Sequence, residues 1–169
     1  MKSPLIALST MVLITPLLFH CGAKKDFAEP AIEKGTQQYN TDSSFAAPYS
    51  LVWTSVQQAI ENRGIPISQT FSDKGLILTD WATGKSDRLF SGYGETKIPY
   101  TIRYKFLIKV TNSNKKVNVQ IKTKEEFLTD VVTSGANFQG SLYNWMPTES
   151  TGYKEKQILN DVKEIIEGN

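Results

Sequence analysis

The sequence predicts an α+β domain in which two helices pack on one face of an antiparallel sheet. Apolar residues recur at helical spacing within Tyr49–Ile60 and again within Ile158–Ile166. Between these segments, apolar and polar residues alternate along Tyr100–Val110 and along Val117–Ile121. Strict alternation is typical of strands with one buried and one solvated face. Two amphipathic helices can cover the apolar face of such a sheet. The sequence contains no internal repeat that would suggest a second domain.

The first twenty residues resemble an export signal. Lys2 precedes an uncharged apolar run from Leu5 to Phe19, which is interrupted by Pro16 and is shorter than the ~20 residues of a membrane-spanning helix. The only cysteine, Cys21, follows directly, as in the lipobox of bacterial lipoproteins. That resemblance implies cleavage before Cys21 and a lipid on its thiol, although the bulky His20 departs from the small residue usual before the cysteine. An ordinary signal peptide or an uncleaved anchor is the alternative.

Processing at Cys21 would also limit the chemistry left to the chain. Cleavage would remove Lys2 and the only histidine, His20, and would lower the formal net charge from +2 to +1. A balanced charge does not favour binding to nucleic acid. Without histidine or a free cysteine, the usual nucleophilic triads and zinc sites cannot form. No carboxylate pair stands out for general acid–base chemistry, since Glu125-Glu126 are simply adjacent. We therefore expect no enzymatic activity and assign no catalytic, cofactor-binding or metal-binding residue.

The rest of the chain divides into a tether and one domain. Residues 21–47 are polar and predict a flexible tether, with a short edge strand near Gln38-Tyr39. Residues 48–169 predict the single α+β domain. Its first helix is expected to begin with Ser50 as N-cap and to end at Gly64.

Strands and connections follow the first helix. A hairpin is expected from strands Ile65–Phe71 and Leu76–Trp81, and a longer hairpin from Tyr100 to Lys122 presents a cationic outer face. This face is solvated and discourages edge-to-edge aggregation, with contact to anionic lipid headgroups as a secondary role. Residues 82–99 and 134–150 predict long connections, and the last helix starts near Thr151. The connections contain aromatic residues that are candidates for an interaction surface, or that fix the connections to the domain: Phe90, Tyr93, Tyr143 and Trp145.

Three segments resemble the NlpB/BamC type of outer-membrane lipoprotein. They are Tyr49–Trp53 with its Val-Trp pair, Gly64–Ile67, and Gly75–Trp81, which ends in Thr-Asp-Trp. The resemblance implies a helix-grip domain, in which a sheet wraps a C-terminal helix, and a non-enzymatic accessory role in the assembly of outer-membrane β-barrel proteins. It also implies an envelope protein as partner. The chain has one such domain and a short tether, whereas that family has two domains behind a long docking segment, so the docking role is not carried over.

Two functions from different classes remain at this point. The first is a lipid-anchored outer-membrane lipoprotein that binds protein partners, which agrees with Gly22 after the cysteine in place of an inner-membrane retention signal. The second is a carrier of a small ligand or lipid, held in a cavity between sheet and helix whose mouth Phe90, Tyr93, Tyr143 and Trp145 would line. An interior filled by side chains would argue against the carrier.

Overall fold

The computed structural model describes residues 31–32, 37–93, 96–113, 115–132 and 141–168. Cys21 and the expected export signal lie outside these residues. In chain order the elements are β1 (Ala31–Ile32), β2 (Asp42–Phe45), α1 (Tyr49–Asn62), β3 (Ile67–Phe71), β4 (Leu76–Thr79), β5 (Ala82–Tyr93), β6 (Thr96–Ser113), β7 (Lys116–Val132), β8 (Ser141–Thr148) and α2 (Tyr153–Glu167). The eight described strands form one antiparallel sheet. Both helices pack against this sheet, which confirms the predicted fold class.

The long hairpin of β6 and β7 is the centre of the sheet. At its turn end, β6 pairs with β4, which pairs with β3, while β7 pairs with β2. At its open end, β6 pairs with β5 and β7 pairs with β8, and the short β1 adds to the edge of β5. The predicted alternation therefore identified the two strands on which the others assemble.

Both helices cover one face of this hairpin, the inner face. Ile108 pairs with Ile121 and Val110 with Val119, and these side chains are buried beneath the helices. The helices contribute fully buried residues to the same cluster, including Val52, Val56, Ile60, Ile158 and Val162. A smaller cluster of Leu89, Ile102 and Phe127 lies toward the open end. At about 1.5–3 kcal/mol for each buried aliphatic side chain, this layer supplies the main driving force for folding.

The first helix ends as the sequence predicts but begins differently. Gly64 adopts a φ of +67°, and the amides of Gly64 and Ile65 donate to the carbonyls of Glu61 and Ile60. This is the Schellman pattern that a glycine permits at a helix end. The predicted N-cap is wrong, because α1 already includes Ser50 and its N-cap position is Pro48, without a side-chain hydrogen bond.

Two predicted connections are largely strands. Most of residues 82–99 belongs to β5 and β6, and residues 141–148 form β8. The β5–β6 register shifts between Lys85 and Phe90, so an alternating pattern cannot persist along β5. The end of the predicted tether is also folded, because Asp42–Phe45 is a strand that pairs with β7. The described residues near Gln38-Tyr39 form no strand, although the Tyr39 amide donates to the Thr151 carbonyl.

In the described part of the chain, neither helix is long and apolar enough to cross a membrane.

Candidate functional site

The side of the sheet that faces away from the helices carries a dense set of charged and aromatic side chains. We call it the outer face. On β6 it presents Arg103, Lys105, Leu107 and Lys109, and their partners in register on β7 are Glu126, Lys124, Lys122 and Gln120. Their inner-face neighbours Phe106, Ile108 and Ile121 are buried. The period of two that builds the core thus also gathers these cations on the opposite side.

Arg103 lies between two tryptophan rings on the outer face. Its guanidinium carbon is 4.5 Å from the centre of the Trp81 ring and 4.6 Å from the centre of the Trp145 ring. Both distances are within the range of cation–π attraction, and a planar guanidinium is well suited to stack on aromatic rings. The Lys105 and Lys124 ammonium groups also approach the Trp81 ring, at 5.0 and 5.5 Å. We call Trp81, Arg103 and Trp145 the Trp–Arg–Trp stack.

Glu126 fixes the position of the arginine in this stack. Its Oε2 accepts a hydrogen bond from Arg103 Nε at 2.7 Å, and its Oε1 lies 3.0 Å from Lys124 Nζ. Burial alone would raise the pKa of the Glu126 carboxyl, but hydrogen bonds from Lys124 and Arg103, with their positive charges, outweigh burial and hold the pKa below its usual value. The carboxylate therefore stays ionised and keeps the guanidinium aligned with the rings.

The Thr79-Asp80-Trp81 segment places Trp81 at the rim of this site. The buried Thr79 hydroxyl accepts the Phe106 amide at 2.8 Å, which ties the end of β4 to β6. The Asp80 amide donates to the Pro66 carbonyl at 2.8 Å, and its carboxylate accepts the Trp81 amide at 2.7 Å. The chain is thus held on both sides at the point where it passes from β4 to β5, and Trp81 is held over the cations.

A groove of about 490 Å³ lies beside the stack on the outer face. Its floor includes Leu78 and Leu107, and Leu107 is 41% exposed. Lys105, Lys122 and Lys124 surround the floor, with the carboxylate of Asp80 on one side; Ser68, Gln69, Thr79, Phe106 and Thr123 complete the lining. We call this the outer groove. An apolar floor within a cationic rim can receive a ligand that carries both negative charge and apolar surface.

Glu125 lies on the inner face and has a different role from its neighbour Glu126. It is 2% exposed, and its Oε2 receives a hydrogen bond from Lys154 Nζ of α2 at 3.0 Å. Burial raises the pKa of Glu125, and the charge and hydrogen bond of Lys154 only partly oppose this effect. Nearby, Thr123 and Ser150 donate to the buried Glu155 carboxylate. This cluster joins the start of α2 to β7, and the two adjacent glutamates form no carboxylate pair.

The four predicted interaction residues lie on strands and not on loops, which corrects that prediction. Phe90 is on β5 opposite Pro99 of β6, whereas Tyr143 and Trp145 are on β8 opposite Asp130 and Leu128 of β7. Strands β6 and β7 separate Phe90 from the other two, so these residues do not line one mouth. The Tyr93 side chain lies outside the described residues. Only Trp145 belongs to the site, through its contact with Arg103.

Of the three residues in the stack, only Trp145 was predicted from the sequence as a candidate interaction residue; Arg103 and Trp81 were not. The signal available in the sequence was the position of Arg103 on the polar face of β6, the strand with the clearest alternation. An arginine on that face lies directly opposite a residue of the returning strand, β7. Trp81, at the end of the Thr-Asp-Trp segment, is half-buried and contacts three cations. Contacts between Trp81 at the β4–β5 junction, Arg103 on β6 and Trp145 on β8 depend on the pairing of strands distant in sequence, which a local pattern does not reveal.

The described interior offers no support for the carrier hypothesis. Buried side chains from both helices and from four strands form a continuous cluster where the predicted cavity would lie. The grooves found on the described residues open to the surface. In this part of the chain, no three acidic, histidine or cysteine side chains group as a metal site.

The sequence was compared with known protein families and with curated proteins. No curated protein matches the chain. The family described as outer membrane protein assembly factor BamC-like N-terminal domain matches residues 45–140, which is more than half of the chain. The match starts at the end of β2 and covers α1 and strands β3 to β7, including the Val-Trp and Thr-Asp-Trp segments, whereas β8 and α2 follow it. The chain therefore belongs to the family of BamC-like N-terminal domains.

Proposed function

We propose that this protein is a lipid-anchored envelope lipoprotein with no enzymatic activity, which binds a protein partner during the assembly of outer-membrane proteins. Its family is named for an outer-membrane protein assembly factor, which supports an envelope location associated with the outer membrane. The segment before the domain, with Cys21 after an apolar run, supports export and lipid attachment. The sheet packed over two helices supports a helix-grip arrangement.

The observation that carries this proposal is the outer face, where Glu126 holds Arg103 of the Trp–Arg–Trp stack in place. Tryptophan and arginine are enriched among the residues that dominate binding energy at protein interfaces. The Arg103 side chain is 30% exposed and is fixed by Glu126, so little conformational freedom remains to be lost on binding. The opposite face is covered by α1 and α2, which leaves the outer face as the broad free surface of the described sheet.

Affinity purification from the native membrane tests this function. The tagged full chain, extracted in mild detergent, is expected to copurify with identified components of the barrel-assembly machinery. Trp145→Ala should weaken this recovery, whereas Lys163→Ala on α2, whose side chain forms an ion pair with Glu167 on the same helix, should not. Recovery of those components at equal levels with all three proteins would place the partner elsewhere, and their absence would refute the role in assembly.

Lipid attachment is tested separately, by the intact mass of the protein from the same membranes. A mass that corresponds to the chain from Cys21 plus a diacylglyceryl group and an acyl chain is expected. An unmodified cysteine would contradict the anchor without affecting the interaction surface.

A further inference from the structure

We infer that the outer groove binds an extended acidic segment of the partner polypeptide, in which carboxylates alternate with apolar side chains. This inference rests on the proposed function and adds the chemistry of the partner to it. Three features support it: repulsion between lysines in the groove, the apolar floor, and the concave shape of the site.

Like charges meet across the two central strands at this groove. Lys105 and Lys124 are directly opposite each other in the β6–β7 register, an arrangement that destabilises a sheet. Lys124 is compensated by Glu126, and both ammonium groups approach the Trp81 ring. A carboxylate bound between them would remove the repulsion that remains.

Two of the groove lysines are available for such a carboxylate. Within the described residues, neither Lys105 nor Lys122 forms an ion pair, and Lys122 is exposed. The acidic residue in the lining, Asp80, uses a carboxylate oxygen to accept the Trp81 amide. The groove therefore has positive charge that the described protein does not neutralise.

The floor of the groove selects for apolar side chains between the carboxylates. Leu107 lies in register with Leu78 of β4 on one side and with Lys122 of β7 on the other. These three side chains lie on neighbouring strands, which are about 4.8 Å apart. A ligand that runs across the strands therefore contacts leucine and lysine side chains in succession. An extended peptide, whose side chains alternate between two sides, can place carboxylates on the lysines and an apolar group on the leucines. The volume, about 490 Å³, is typical of ligand grooves.

The shape of the site favours a peptide over a membrane surface. A bilayer is flat, so its headgroups first reach exposed cations at the end of the long hairpin, such as Lys115 in the turn and Lys116 at the start of β7. Within the groove, Lys105 is instead only partly exposed, so a flat surface reaches it less readily than an extended chain does. Anionic lipid is accordingly the competing ligand that the experiment must distinguish.

Nuclear magnetic resonance of the tryptophan indoles tests the inference on the full chain in neutral detergent micelles. The protein has three tryptophans, so three indole N–H signals are expected. A capped peptide of alternating glutamate and leucine should shift the signals of Trp81 and Trp145. Trp53, on α1, serves as the internal control and should not move. The same peptide with glutamine in place of glutamate should cause no shift.

Two variants define the site. Lys105→Gln with Lys122→Gln should weaken peptide binding by about two- to fivefold for each lysine, and added salt should weaken binding to the wild type. Lys109→Gln is the matched control, because Lys109 is exposed on the same face of β6 but is not part of the groove lining. Its affinity for the peptide should equal that of the wild type. Circular dichroism of each variant verifies that the fold is intact.

Three outcomes of the titration overturn the inference. Equal binding of the glutamine peptide would show that charge is not recognised. Shifts of Trp81 and Trp145 with phosphatidylglycerol added to the micelles, without shifts from the acidic peptide, would assign the groove to lipid. No shift with either would leave the groove without this ligand, while copurification of the assembly components would still support the proposed function. Loss of copurification with retained peptide binding would instead reject the proposed function alone.

Discussion

Replacement of Arg103 by methionine tests whether the Trp–Arg–Trp stack stabilises the sheet. The substitution keeps an unbranched side chain but removes the guanidinium that lies 4.5 and 4.6 Å from the two ring centres. Each cation–π contact at a partly exposed site contributes about 0.5–1 kcal/mol, and the ion pair with Glu126 adds up to about 1 kcal/mol. Because methionine still packs on the rings and Lys124 still pairs with Glu126, we expect a net loss of about 1–2 kcal/mol in the free energy of unfolding.

Urea unfolding followed by circular dichroism measures this loss. With a urea dependence of about 2 kcal/mol per molar, the midpoint should fall by about 0.5–1 M at unchanged slope. Lys85→Met is the matched control: Lys85 is exposed on β5 and donates one hydrogen bond to Thr101, so its replacement should change stability by less than about 0.5 kcal/mol. A double-mutant cycle with Trp145→Leu should give a coupling of about 0.5–1 kcal/mol with Arg103. Equal effects of the two methionine variants, or no coupling, would refute the reasoning.

Three further predictions concern the framework of the site. Gly75→Ala should cost at least about 1–3 kcal/mol, because Gly75 has a φ of +62° and an added Cβ would lie 2.0 Å from the Val110 carbonyl oxygen; an unchanged urea midpoint would contradict this. Thr79→Val should cost about 1–3 kcal/mol, since it leaves the buried Phe106 amide without its acceptor, and faster hydrogen exchange at that amide should accompany the loss. Because burial raises the pKa of Glu125 above its ordinary 4.5, the wild type should lose stability as pH rises through the raised pKa, and Glu125→Gln should remove this dependence in melts across the acidic range. Parallel melting profiles for the two proteins would show that Glu125 does not titrate in this way.

The sequence predicted the parts of the fold that depend on local periodicity. Alternation from Tyr100 to Val110 defined the central strand and its buried face, and Gly64 marked the end of the first helix. The inner face could be predicted because alternate residues of a strand point to opposite faces, so the apolar residues mark the buried face. Both helices were found for the same reason, since their apolar stripes recur every three or four residues.

The parts that the sequence did not predict depend on distant pairing. Strand β5 contains charges, glycines and a change of register, and it is held as a strand by β6. Strand β8 carries Trp145 next to the apolar Met146, without an alternating pattern, and it is held by β7. The stack needs residues from three places in the chain, so it emerges only when the sheet is assembled. The cationic face and Trp145 could be predicted from the sequence, but the contacts of Trp81 and Trp145 with Arg103 could not.

Photocrosslinking in living cells shows whether the outer face binds the assembly partner. A photoreactive amino acid is placed at Leu107, which is 41% exposed on the outer groove, and in a second strain at Lys163 on α2. We expect a crosslink to an identified component of the barrel-assembly machinery from position 107 and none from position 163. Crosslinks to that component from position 163 alone would contradict it and would assign the partner to the helical side.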